Sequence, residues 1–79
     1  MNRPNVFRVV AERKIDNEGS FCEPVSQSYK NKHDAFLHYH YTVDIVKDGI
    51  ELFVSEYSVD EDGMQTWVRD FTKEEMVDL

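Results

Sequence analysis

Between Val6 and Ile15 apolar and polar positions alternate. Phe7, Val9, Ala11 and Ile15 fall on one face at period two, and Arg8, Glu12 and Lys14 fall on the other. That alternation predicts a β-strand with one buried face. Val10 interrupts it, so both faces are expected to be partly covered. Asp16-Asn17-Glu18-Gly19-Ser20 has the Asp/Asn/Gly chemistry of a hairpin loop. Phe21–Tyr29 then reads as a weaker second strand. Pro24 cannot donate to a ladder, which puts that strand at a sheet edge or at a bulge.

The stretch from Asn31 to Gly49 supports two periods. Read as a strand, Leu37, Tyr39, Tyr41, Val43 and Ile45 alternate with His38, His40, Thr42 and Asp44. Read as a helix, Ala35, Phe36, Tyr39, Val43, Val46 and Ile50 form one stripe. The end signals favour the helix over 31–48. Asn31 can cap, Asp34 stands three residues on, Lys47 falls in the last turn and Gly49 can take the left-handed position after it. Leu37, Tyr41 and Ile45 then make a second apolar strip beside Asp34 and Asp48, exposed and open to a partner.

Two further apolar runs, Ile50–Val59 and Met64–Phe71, flank Asp60-Glu61-Asp62-Gly63 and predict a hairpin. If Val59 faces Met64, Glu56 faces Trp67 and Leu52 faces Phe71. Residues 72–79 form an acidic tail with one helical turn started by Thr72, Glu75 being its capping-box partner. The predicted order is β-β-α-β-β, an α+β fold with one helix packed on an antiparallel sheet. An all-β meander is the alternative if 33–47 is a strand.

Length and composition narrow the picture. Seventy-nine residues make one domain, and so short a chain buries only about 60–65% of its unfolded surface. Cys22 is the sole cysteine, so no internal disulfide can add stability. A homodimer would supply further burial. The single thiol, the lack of an apolar leader after Met1 and the lack of an 18-residue apolar run point to the cytoplasm and away from a membrane.

No catalytic residue, metal site or cofactor site is predicted. His33, His38 and His40 do not converge on one ion at helical spacing, and His40 is the one placed to be partly buried. Asp60-Glu61-Asp62-Gly63 brings its glycine two positions too early for an EF-hand loop. Cys22 has no CxxC partner and reads as a small half-buried side chain. No GxGxxG, phosphate-binding loop or HExxH is present.

Charge is the remaining signal. Residues 1–32 carry six bases and four acids; residues 33–79 carry three bases and twelve acids, a balance of +2 against −9 within a net −7. Such a surface repels nucleic acid and anionic lipid. It suits a basic groove on another protein, because alternate strand residues stand about 6.6–6.8 Å apart, of the order of phosphate spacing. The predicted contact set is Asp44, Asp48, Glu51, Glu56, Asp60, Glu61, Asp62 and Asp70, with Tyr41, Tyr57 and Trp67 as rigid anchors. Asp78 and the glutamates of the tail add to the charge.

Tyr29 before a capped helix with Asp34-Ala35, Tyr39 within it, Asp48-Gly49-Ile50 at its end and a hairpin with Asp62-Gly63 and Trp67 resemble a pattern of small accessory proteins of bacteriophages and mobile elements. The resemblance covers Ser28 to Phe71 and its motifs are loose. It implies a non-enzymatic inhibitor or modulator of a host nucleic-acid-processing or defence protein, acting as a DNA mimic. A homodimeric accessory protein without such mimicry is the alternative.

Overall fold

The computed structural model describes residues 3–15 and 19–77. The loop residues Asp16, Asn17 and Glu18 and the tail residue Asp78 lie outside them. The described elements are β1 (Arg3–Ile15), β2 (Gly19–Pro24), α1 (Lys32–Thr42), a 3-10 turn (Val43–Ile45), β3 (Ile50–Val59), β4 (Gln65–Asp70) and α2 (Lys73–Val77). The strands form one antiparallel sheet in the order β2-β1-β3-β4. The fold is α+β, as the sequence pattern predicts. The 3-10 turn and α2 extend the simpler β-β-α-β-β order.

Both helices lie on one face of the sheet. Val9, Val54 and Phe71 there meet Ala35, Phe36 and Tyr39 of α1 and Met76 of α2 in one core. Phe36 and Phe71 pack edge to face at 5.1 Å between ring centres, and the Arg69 guanidinium lies over the Phe71 ring, 4.1 Å from its centre. Among the described residues no helix is long and apolar enough to cross a membrane.

Pro24 sits on edge strand β2, in keeping with its missing N–H. That strand ends sooner than predicted, at Pro24, and among the described residues a single isolated bridge, Phe7 with Tyr29, resumes the pairing. In between, Ser26 replaces a strand partner: its hydroxyl accepts the Val9 N–H at 2.8 Å.

One further boundary and one register differ from expectation. Asn31 does cap α1, its side-chain oxygen accepting the His33 N–H at 2.8 Å, but the helix stops at Thr42 and not at Asp48. The Thr42 hydroxyl back-bonds to the carbonyls of His38 and Tyr39, a contact that bends helices, and the chain tightens into the 3-10 turn Val43–Ile45 before turning extended at Val46. The β3–β4 register also departs from the prediction. Val59 pairs with Gln65, Tyr57 with Trp67 and Glu56 with Arg69. The reason is the turn. Asp60 Oδ1 accepts the N–H groups of Asp62 and Met64, and Gly63 takes φ +86°, a conformation open to glycine. The pair closed by the turn is therefore Asp60 with Met64, which moves the pairs up to Tyr57 by one residue, and an irregularity between Tyr57 and Glu56 moves the rest by one more.

Candidate functional site

A bulge at Val68 builds the most organised polar group on the surface. Tyr57 pairs with Trp67 and Glu56 with Arg69, so Val68 is left without a partner. In a regular strand, Trp67 and Asp70 would point to opposite faces. The extra residue puts both on the face away from the helices. There the Trp67 indole N–H donates to Asp70 Oδ1 at 2.7 Å, and the Ser55 hydroxyl donates to the same oxygen at 2.6 Å. Ser55 is fully buried, whereas Trp67 keeps 57% of its surface exposed.

The pairing registers map the rest of this open face. Cys22, Glu12 and Glu51 form one row across β2, β1 and β3; Pro24, Val10 and Phe53 form the next. Arg8, Ser55 and Asp70 follow, then Val6, Tyr57 and Trp67. The face is curled rather than flat. Arg8 donates to the Ser26 carbonyl at 3.2 and 2.9 Å and to Gln65 at 3.4 Å, while Gln65 donates to the Ser28 hydroxyl at 2.8 Å. This strap narrows one end of the face, and Val10 and Val59 on it are buried.

Electrostatics vary along the face. Burial raises the Tyr57 hydroxyl above its ordinary value, with Asp70 adding to the rise and Arg8 opposing it. The Cys22 thiol is raised by partial desolvation and by Glu12, whose carboxylate lies 3.7 Å away. It is thus held as the thiol, the weaker nucleophile. Cys22 is exposed, not half-buried as its type suggests. Glu12 and Glu51 are directly opposed like charges, an arrangement that destabilises a sheet.

Of the residues singled out in sequence, Tyr57, Trp67 and Asp70 come together here. Glu51 shares their face at its far end. Glu56 lies on the opposite face, where it accepts Asn5 Nδ2 at 2.7 Å and Arg69 Nε at 3.3 Å. Asp60, Glu61 and Asp62 form the hairpin tip; Asp60 is occupied by the turn, and the Glu61 carbonyl accepts from Arg3 at 3.5 Å. Asp44 and Asp48 are exposed in the segment before β3. Tyr41 and Ile45 stand 78% and 79% exposed on the outer side of α1 and its 3-10 extension.

The histidines do separate work. His38 Nδ1 is 2.7 Å from the Tyr29 hydroxyl, and His40 Nε2 is 2.6 Å from the Met76 carbonyl, tying α1 to α2. Among the described residues no three His, Cys, Asp or Glu side chains gather to hold a metal ion. Sequence reasoning missed Ser55, Arg8 and Glu12. Ser55 carried one usable signal, a small polar residue inside an apolar strand run.

The chain matches no protein-family model, no curated protein and no solved structure.

Proposed function

We propose that this chain is a non-enzymatic protein-binding module that engages a basic surface of its partner through the open face of the sheet. The observation that carries the reading is Trp67: an exposed indole whose orientation is fixed in advance by Asp70 and, through it, by buried Ser55. A rigid aromatic anchor of this kind loses little freedom on binding and is the residue type that dominates interface energies. Glu12 and Glu51 support the same reading. Their mutual repulsion is relieved when a cationic group lies between them. With a net charge of −7, the partner's surface is one otherwise suited to nucleic acid. Taken with the resemblance to phage accessory proteins, the role is inhibition or modulation of a host nucleic-acid-processing or defence protein in the cytoplasm.

The test is capture from bacterial lysate by the tagged chain and by its Trp67→Ala variant, each washed with rising salt. The expected partner is held by the parent chain, released as salt rises and lost from the variant. Equal capture by both chains at all salt concentrations removes the proposal. The exposed Tyr41 and Ile45 favour a second reading, a homodimer through the outer side of α1. A monomer by light scattering at high concentration rules it out.

A further inference from the structure

A different part of the sheet carries a second site. β4 pairs with β3 only from Ser55 to Val59. The last link is the Phe71 N–H to the Val54 carbonyl at 2.8 Å. The chain then leaves the edge, because the capping box of Thr72 and Glu75 turns it into α2. The other half of β3, Ile50 to Phe53, is paired with β1 alone. Alternation settles which groups are free. The Val54 carbonyl points away from β1, so Leu52, two residues earlier, directs its N–H and C=O the same way. Ile50 is spoken for, since its N–H donates to the Lys47 carbonyl at 3.2 Å. Leu52 has no such partner among the described residues.

These free groups open into a groove of about 370 Å³. Val43, Val46, Ile50, Leu52, Phe71 and Met76 supply its apolar lining. Met76 is held in place by His40. A volume in this range suits one large apolar side chain with its backbone.

We infer that this groove takes an extended peptide segment of a partner protein, added as a further strand along Ile50–Phe53. A strand's N–H and C=O would satisfy Leu52, and its inward side chain, a Leu, Ile or Phe, would fill the apolar groove. Charge selects the flanks. Glu51 and Lys73 both line the groove, and Asp48 is exposed just before β3, so a Lys or Arg beside the anchor is favoured next to Glu51 and disfavoured next to Lys73. Glu51 borders both this site and the Trp67 face, but the Leu52 edge and the apolar lining belong to this site alone, so the inference stands or falls without Trp67.

The test uses the full chain, isotopically labelled, titrated with a pool of acetylated octapeptides. These alternate Leu, Ile, Val or Phe with Thr and carry Lys at one end, the first or the last position. The expected result is a shift of the amides from Ile50 to Val54 and at least about tenfold slower exchange of the Leu52 N–H. Val46→Lys lowers affinity about tenfold or more, N-methylation of the peptide backbone beside its anchor abolishes binding, and Trp67→Ala changes neither. Absence of shifts at millimolar peptide overturns the inference. So does binding without slowed exchange at Leu52, or binding that survives N-methylation. Slowed Leu52 exchange in concentrated protein alone, with a doubled mass by light scattering, assigns the groove to a second copy and overturns it too.

Discussion

On the covered face of the sheet, Val9 and Val54 are fully buried against Phe36, Tyr39 and Met76. On the open face, one residue further along the same strand, Ser55 is buried just as deeply, yet what it meets is the carboxylate of Asp70. Val54 is held by non-directional contact that tolerates small shifts. Ser55 needs one partner at one distance, because an unmet buried hydroxyl costs free energy. The two faces therefore divide the labour. Apolar packing on the covered face makes the fold. The open face departs from what stability alone favours, with an exposed tryptophan and two opposed glutamates, and such local conflicts mark functional surfaces.

The largest effect separates the faces at once. Phe36→Ala removes the ring that stacks edge-on against Phe71 and leaves a cavity, at a cost of about 3–5 kcal/mol. A domain of this size has little more than that in total, so urea titration should find the variant largely unfolded at 37 °C. A loss below about 1.5 kcal/mol would show that the covered face is not where the stability resides.

Trp67→Ala sharpens the contrast from the other side. The residue is more than half exposed, so stability should change by less than about 1 kcal/mol. Partner binding should fall by about 2 kcal/mol or more, roughly thirtyfold, measured by titration against the captured partner. A variant that unfolds as readily as Phe36→Ala would mean that Trp67 belongs to the core.

The link between buried and exposed is Asp70. Asp70→Ala strands the Ser55 hydroxyl and should cost about 1–2 kcal/mol, while the double variant with Ser55→Ala recovers part of that loss. A urea double-mutant cycle with no coupling would dissolve the claimed network. Fluorescence of Trp67 in Asp70→Ala should also shift, because its indole N–H loses its acceptor.

How much of this was legible in the chain depends on the range of the interaction that decides it. The alternation of β1, the cap at Asn31, the edge position of Pro24 and the turn at Asp60–Gly63 rest on neighbours in sequence, and they read through. The end of α1 lies where the chain tightens into a 3-10 turn beside the back-bonded Thr42 hydroxyl, a local geometry that sequence does not reveal. The register of β4 turned on where the Asp60 side chain closed the turn, a shift of one residue, and on the bulge at Val68, which added a second beyond Tyr57. Trp67 and Asp70 were both visible as candidates. Their contact was not, because a strand places residues three apart on opposite faces until a bulge intervenes. The acids that looked like one array in sequence divide between the two faces, the hairpin tip and the segment before β3, since alternation sorts Glu56 from Glu51 and Asp70 whatever their charge.

The smallest effect lies at the rim of the covered face, in the turn that ends the sheet edge. The Glu75 carboxylate accepts the Thr72 N–H at 3.0 Å and lies 3.2 Å from Arg69 Nη1. The Thr72 hydrogen bond, with Arg69 in support, holds it below its ordinary value of 4.5. A carboxylate depressed in the folded state favours folding above its unfolded value, and that contribution is lost as pH falls through the folded value. Wild type should therefore exceed Glu75→Gln in stability at neutral pH, and the gap should close as urea titrations move below about pH 4.5. Thr72→Ala, which removes the other half of the box, should cost about 1 kcal/mol with little dependence on pH. If the Glu75→Gln gap stays constant down to acid pH, the carboxylate is not what fixes the turn. The free half of β3 would then owe its exposure to the packing of Met76 and Phe71, and the covered face, not a polar cap, would set the groove.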